Sequence, residues 1–147
     1  MSATPGGPAP SGPAPATGRV PALLVMHGSL AEALIRAAAR VYGPIDDVVV
    51  LSNEGLSRTE LEHRIEEAAG HWPAGGLVLT DFWGGSCHTS GLAAARHCRG
   101  VAILTGANLP MLLDYLHNRE HLDAVALAER LMQKGRDSIR VQHGPPA

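Results

Sequence analysis

Short apolar runs alternate with amphipathic stretches along this chain. Four runs lack the alternation of a half-exposed strand and have the length of a buried strand: Ala22–Met26, Val48–Leu51, Leu77–Thr80 and Val101–Thr105. Apolar residues at helical spacing between and after these runs predict five helices, at Leu30–Tyr42, Ser57–Ala69, His88–Cys98, Pro110–Leu116 and Leu122–Lys134. Ser57 and Glu60 have the spacing of a capping box at the start of the second helix.

This order of elements predicts the fold class. A strand followed by a helix, four times over, is typical of an α/β protein with an open, mainly parallel four-stranded sheet and helices on both faces. A final stretch, Ser138–Val141, alternates apolar and polar residues and predicts an additional edge strand at the C-terminus.

Composition separates a tail from the folded part. Residues 1–19 are almost wholly Pro, Gly, Ala, Ser and Thr, and such a segment has too little to bury to offset its ordering entropy. We therefore predict a disordered tail over 1–19, one folded domain over 20–142 and a short tail over 143–147. A chain of 147 residues is long enough for one domain with a substantial core.

Charge, hydropathy and cysteine content exclude several classes of protein. The net charge is −2 without a basic patch, so nucleic acid is not an expected partner. No apolar run approaches the ~20 residues of a membrane span, and the N-terminus lacks the pattern of a signal peptide. Two cysteines, Cys87 and Cys98, make no disulfide framework. We predict a cytoplasmic protein without direct membrane insertion.

Candidate chemistry lies in the loops that follow the predicted strands. These loops are His27–Ser29, Asp81–Ser86 and Gly106–Pro110. In open parallel sheets, ligands bind beyond the carboxyl ends of the strands. His27 lies between a buried strand and the N-terminus of a helix, and that position suits an anion. We therefore predict that His27 is a nucleophile that is transiently phosphorylated.

Such a histidine needs two kinds of support. Its second ring nitrogen needs a partner that fixes the tautomer, and Asp81, at the end of a neighbouring strand, is the candidate. The phosphoryl oxygens need donors from glycine-containing loops and hydroxyl groups. The residues that could supply these donors are Gly28, Ser29, Gly84, Gly85 and Ser86.

Other interpretations of the same residues stay open at this point. His27 could be a structural histidine at a strand end, and Asp81 a turn residue. A hydrolase could use Ser29 or Ser86 with His27, although the Gly-x-Ser-x-Gly elbow is absent. A non-catalytic, dimeric regulatory or binding protein on the same fold is the strongest alternative from a different class.

The remaining histidines and cysteines do not predict a metal site. Cys87-His88 and His97-Cys98 fall on one predicted helix, about 15 Å apart, which is too far for a single zinc ion. His117 and His121 are four residues apart but lack the zinc motif His-Glu-x-x-His. Subsets of these residues together with His27 or Asp81 could still be ligands, but exposed polar histidine is the simpler interpretation, and we predict neither a metal nor a cofactor.

Three motifs together resemble a known family. The strand that ends in His27-Gly28, the loop Thr80–Ser86 and the segment Gly106–Leu112 have the order and spacing seen in mannose-type enzyme IIA components of the bacterial sugar phosphotransferase system. The resemblance covers residues 21–142. The chain differs from the family pattern at Cys87-His88-Thr89, where proline, any residue and asparagine are usual.

The resemblance implies a function and an assembly. It implies a phosphotransferase in which His27, paired with Asp81, takes a phosphoryl group from the phosphocarrier protein HPr and passes it to a IIB component, in sugar uptake or its regulation. It also implies a homodimer that exchanges a C-terminal antiparallel strand, which suits Ser138–Val141. Residues expected to line the site or contact partners are Trp83, Asn108, Pro110 and Met111.

Overall fold

The computed structural model describes residues 18–147. Four strands and five helices follow one another in the predicted order. Their bounds are β1 Ala22–Met26, α1 Leu30–Tyr42, β2 Val49–Ser52, α2 Arg58–Ala69, β3 Gly76–Thr80, α3 Ser86–Ala95, β4 Val101–Leu104, α4 Leu109–Asn118 and α5 Ala124–Asp137. The predicted N-terminal tail lies outside the described residues except for Gly18 and Arg19, and Arg19 forms ion pairs with Asp47 and Glu120.

The four strands form one parallel sheet in the order β2-β1-β3-β4. Residues of β1 alternate between two cores. Leu24 and Met26 pack with α1, α4 and α5, whereas Leu23 and Val25 pack with α2 and α3. Helices therefore cover both faces of the sheet, which confirms the predicted α/β class.

Burial separates the central strands from an edge strand. All residues of β1 and β3 are buried, as their continuous apolar character predicts. In β2 the side chain of Val49 is 46% exposed and that of Val50 36%. The expectation that the second strand is covered on both sides is therefore wrong, because β2 lies at the edge of the sheet.

The C-terminal segment also differs from the prediction. Ser138 is the C-cap of α5, and within the described residues 139–147 belong to no helix or strand. Ile139 and Val141 are each 79% exposed. The edge strand predicted over Ser138–Val141 does not form in this single chain, because the segment leaves α5 without pairing with β2 or β4.

Helix ends confirm the predicted capping box. The Ser57 hydroxyl accepts from the Glu60 N–H at 3.1 Å, and Glu60 Oε2 accepts from the Ser57 N–H at 2.9 Å. Asn108 and Asp123 cap α4 and α5 through their side chains.

None of the helices within residues 18–147 has the length and apolar character needed to cross a bilayer.

The capping box predicts a measurable loss of stability in Ser57→Ala. We expect the free energy of unfolding to fall by about 1 kcal/mol, because the Glu60 N–H loses its acceptor. Thr59→Ala is the control, because Thr59 lies two residues after Ser57 and its side chain is exposed. This change should alter the free energy of unfolding by less than about 0.5 kcal/mol. Urea denaturation of the three proteins measures both changes, and equal stabilities would contradict a stabilising box.

Candidate active site

The sheet brings His27 and Asp81 together. Val25 of β1 is paired with Thr80 of β3 in the parallel ladder. His27 directly follows β1 and Asp81 directly follows β3, so both side chains start from the carboxyl ends of two adjacent strands. The two residues are 54 positions apart in the chain, and their proximity depends on the register of this strand pair.

Asp81 holds His27 through two hydrogen bonds. Its Oδ2 lies 2.7 Å from Nδ1 of the His27 ring and accepts from the His27 backbone N–H at 2.9 Å. Its other oxygen, Oδ1, accepts from the Phe82 N–H at 3.1 Å. Both carboxylate oxygens therefore have donors, and the aspartate is fixed relative to the ring.

The ionisation of Asp81 sets the tautomer of His27. Desolvation by burial raises the pKa of Asp81, but the hydrogen bonds and the charge of His27 outweigh it and hold that pKa below its ordinary value. An ionised carboxylate only accepts hydrogen bonds, so Nδ1 carries the ring proton. In the neutral ring Nε2 then has a free lone pair, and it lies 3.1 Å from the Ser86 hydroxyl oxygen.

The ring has one open side and one packed side. The His27 side chain is 36% exposed, whereas that of Asp81 is 9% exposed. Phe82 stacks on the imidazole with ring centroids 5.0 Å apart. A Cβ at position 85 would lie 2.6 Å from the Phe82 ring, so Gly85 is what allows this aromatic ring to remain over His27.

Helix ends beside His27 differ from the other helix ends. Among the helices of residues 18–147, α1 and α3 have no side-chain cap at their N-termini, whereas α2, α4 and α5 do. These two helices begin directly after the His27 loop and the Asp81 loop. Apart from the Leu30 N–H, which donates to the His27 carbonyl oxygen at 3.3 Å, their first-turn N–H groups and positive dipole ends are available to an anion at the carboxyl ends of the strands.

Two of the predicted backbone donors already have partners. The Gly28 N–H donates to Asn53 Oδ1 at 3.1 Å, and the Gly84 N–H donates to His88 Nδ1 at 2.9 Å. Both glycines have positive φ, +57° and +82°, and so permit the tight turns before α1 and α3. In this conformation the two glycines shape the loops, and the uncapped helix turns carry the free N–H groups.

A cavity of about 250 Å³ opens beside Ser86. It lies between the start of α2 and α3 and is lined by residues that include Asn53, Ser57, Arg58, Thr89 and Ser86. The lining next to Ser86 is therefore rich in residues with hydroxyl groups.

Comparison with known proteins decides the family. The family model described as the fructose IIA component of the phosphotransferase system, of the EIIA-man type, matches residues 22–132. The chain belongs to this family. Membership supports a part in the sugar phosphotransferase system and in phosphoryl transfer.

Individual relatives agree with this assignment. This IIA chain is 24% identical over 113 residues to the sorbose-specific EIIA component of Klebsiella pneumoniae, which covers 76% of this chain and 84% of the relative. A solved EIIA component from Streptococcus agalactiae has a TM-score of 0.77 at 20% identity, covering 83% of this chain and 96% of the other. The mannose/sorbose-specific IIA subunit of Enterococcus faecalis has a TM-score of 0.74 at 21% identity, with coverages of 88% and 98%.

The loop that departs from the family pattern contacts the site in this IIA chain. Cys87 is fully buried, with Sγ 3.7 Å from Nδ1 of His27. Burial, together with the charge of Asp81, raises the pKa of the Cys87 thiol to about 11. The thiol is therefore protonated at neutral pH and is a weak nucleophile.

His88 is buried under the ring of Trp83, at a centroid distance of 4.5 Å.

Other predicted site residues have structural contacts. Asn108 Oδ1 accepts from the Met111 N–H at 3.0 Å, Met111 is buried in the core and Pro110 is exposed. Within the described part of the chain, none of these three forms a hydrogen bond to His27 or Asp81. Trp83 is 78% exposed beside the site, where a partner could reach it.

The sequence placed Cys87 beside the site but did not predict its contact with His27, and it assigned no site role to Asn53 or Phe82. Asn53 follows β2, so the rule that loops after strands carry function could have found it, since β2 is adjacent to β1. Phe82 and Cys87 flank predicted site residues in the chain. Their contacts with His27 depend on the turn geometry between β3 and α3, which has no simple sequence signal.

Asp81 predicts a pH-dependent contribution to stability. The pKa of folded Asp81 lies below its ordinary value of 3.8, so its contribution is complete above that value and is lost as the pH falls through the lower, folded pKa. We expect the difference in unfolding free energy between the wild type and Asp81→Asn to shrink below pH 3.8. Urea titrations of both proteins over a series of pH values measure it, and a constant difference through the acid range would contradict this linkage.

Proposed function

We propose that this chain is a phosphohistidine carrier that accepts a phosphoryl group from phospho-HPr on His27 Nε2 and passes it to a IIB component. The observation that carries the proposal is the His27 ring, with Nδ1 bonded to Asp81 and Nε2 available on its more open side. In the first step Nε2 forms a bond to phosphorus while the nitrogen–phosphorus bond of phospho-HPr breaks. In the second step the same group leaves Nε2 for the IIB component.

Charge balance favours this reaction at His27. Attack by Nε2 leaves the proton on Nδ1, so the ring becomes cationic while the phosphoryl group stays attached. The Asp81 carboxylate, 2.7 Å from Nδ1, stabilises that cation without having to move. Because the pKa of Asp81 is lowered, the carboxylate stays ionised throughout the neutral pH range. Its stabilisation of the cationic ring is therefore constant over that range.

Donors for the phosphoryl oxygens come from both loops. The uncapped first turns of α1 and α3 supply backbone N–H groups, and Ser29 and Ser86 supply hydroxyls at the same helix ends. Phosphoryl transfer needs mainly positioning and charge stabilisation, which such groups provide. Gly28, Gly84 and Gly85 take part by allowing the loops to turn closely around the site.

The proposal extends to partners and place of action. Trp83 and Phe82 form an exposed aromatic surface next to His27, where HPr and the IIB component would dock. Pro110 lies exposed after β4 and could widen that surface. Action in the cytoplasm, in sugar uptake or its regulation, is part of the same proposal, and the relatives named for mannose and sorbose support it.

The carrier function predicts that His27→Asn accepts no phosphoryl group. Incubation with phosphoenolpyruvate, enzyme I and HPr, followed by intact mass, should add one acid-labile phosphoryl group to the wild type and none to this variant. Asp81→Asn should accept it more slowly, on the order of a hundredfold, because the cationic ring loses its counter-charge.

His71→Gln is the matched control for this experiment. His71 is exposed and follows α2 at the opposite edge of the sheet, so its loss should leave phosphorylation unchanged. Phosphorylation of a folded His27→Asn protein would refute the assignment. A folded wild type that stays unmodified with active donors would favour the dimeric regulator.

The geometry also supports a second candidate function, a serine hydrolase. Ser86, His27 and Asp81 are hydrogen-bonded in series, at 3.1 Å and 2.7 Å, as in a catalytic triad. Ser86→Ala separates the two functions in an assay with phospho-HPr and an activated ester. A hydrolase would lose all ester cleavage, whereas the carrier would still accept phosphoryl groups, since its nucleophile is Nε2.

We also propose that the chain acts as a homodimer. Residues 139–147 extend from α5 without joining the sheet, and they present Ile139 and Val141 to solvent. Exposed apolar side chains on a segment without secondary structure, in a chain whose sheet has two open edges, favour pairing with a second copy. The resemblance to IIA proteins that exchange a C-terminal strand supports the same arrangement.

The dimer predicts a change of mass when these apolar groups are replaced. The double variant Ile139→Asp, Val141→Asp should have the mass of one 15.4 kDa chain by light scattering after gel filtration, and the wild type twice that mass. Val125→Asp alters an exposed valine on α5 and should leave the dimer intact. A wild type that elutes as a monomer, or a double variant that stays dimeric, would count against the proposed contact.

A further inference from the structure

Three different metal-ligand types meet at the carboxyl edge of the sheet. One ligand atom each from His27, Asp81 and Cys87 lies within 4.8 Å of the other two. Across residues 18–147 this is the one group of three such residues that is close enough to share an ion. The relevant short distances are 2.7 Å from Nδ1 to Asp81 Oδ2 and 3.7 Å from Nδ1 to Cys87 Sγ.

We propose that His27, Asp81 and Cys87 form a Zn²⁺ site in which the ion replaces the proton between His27 and Asp81. Imidazole nitrogen, carboxylate oxygen and thiolate sulfur are the ligand types that zinc takes in proteins. Three protein ligands leave a fourth position for water on the exposed side of His27. A thiolate in the set favours zinc and other soft divalent ions over Mg²⁺ and Ca²⁺.

The surroundings of these ligands suit a divalent cation. Cys87 is fully buried and Asp81 nearly so, so a charge placed here must be balanced locally. Carboxylate and thiolate together carry two negative charges and neutralise Zn²⁺. The ion would approach from the side of His27, whose ring is the exposed member of the three.

Zinc binding at this site would also change which nitrogen of the His27 ring carries the proton. When zinc binds Nδ1, the Cys87 thiol releases its proton to water, and the imidazole proton moves from Nδ1 to Nε2. The ring stays neutral, but Nε2 no longer has a free lone pair. Asp81 is at the same time engaged by the ion. If the proposed carrier function holds, zinc binding and phosphorylation of His27 therefore exclude each other.

The site depends on the side chain of Cys87. Without its thiolate only His27 and Asp81 would remain as ligands, and two ligands would bind zinc weakly.

The test begins with metal binding alone. Calorimetric titration of the full chain with Zn²⁺ should give one ion per chain, and Cys87→Ser should weaken the affinity at least about tenfold. Cys98→Ser removes the other buried cysteine and should bind as the wild type does. Titration with Co²⁺ should give a thiolate-to-cobalt charge-transfer band in the wild type and in Cys98→Ser, but not in Cys87→Ser.

Several results would overturn the site. They are no zinc binding by the wild type, equal affinity in the wild type and Cys87→Ser, or a wild-type cobalt complex without the thiolate band. Circular dichroism checks that each variant is folded, since Cys87 is in the core. If Cys87→Ser does not fold, Asp81→Asn replaces it, and unchanged zinc affinity in that variant would equally refute the site.

A second measurement addresses competition with phosphorylation. The ratio of phosphoryl-acceptance rates with and without zinc should fall at least about tenfold for the wild type and stay near one for Cys87→Ser. Equal ratios in the two proteins would refute the competition. If the wild type accepts no phosphoryl group even without zinc, the carrier function fails, while the calorimetric titration still decides the metal site.

Discussion

The hydrogen bond between His27 Nδ1 and Asp81 is the interaction on which the candidate site depends. It holds the proton on one nitrogen and leaves the other free, and it provides a counter-charge for any cation formed on the ring. It exists because β1 and β3 are adjacent and parallel in a fixed register. A shift of that register by one residue would also turn each buried side chain toward the wrong core, so the same packing that stabilises the sheet positions the pair.

Helices pack on both faces of the sheet, and this explains why the site lies at the carboxyl ends of the strands and not inside the domain. The two hydrophobic cores surround β1 and β3 and leave room only where the strands end. There the chain turns into α1 and α3, whose first turns lack side-chain caps. Uncapped N–H groups at helix N-termini are suited to bind an anion. Glycines at the turns allow this close approach without strain.

A single imidazole between a carboxylate, a hydroxyl and a thiol has more than one chemical use. With the proton on Nδ1, the ring would be the nucleophile of the proposed phosphoryl transfer; with a metal ion there, it would not. Cys87 adds a soft metal ligand to this group. The proposed partner surface of Phe82 and Trp83 depends on the same loop, because Gly85 allows Phe82 to cover the ring and His88 accepts from Gly84. The proposed chemistry and the proposed partner contact would therefore share one turn.

The sequence by itself determined the order of strands and helices, the α/β class, the capping box at Ser57 and the pairing of His27 with Asp81 as candidates. These features follow from local periodicity, from cap residues and from the rule that parallel strands end at a common edge. Tertiary structure decided the rest. The exposure of Val49 depends on β2 being an edge strand, and the alternation in Ser138–Val141 did not produce a strand within the single chain. The contacts of Phe82, Asn53 and Cys87 with the site arise from turn geometry and from neighbours distant in the chain, which periodicity does not encode.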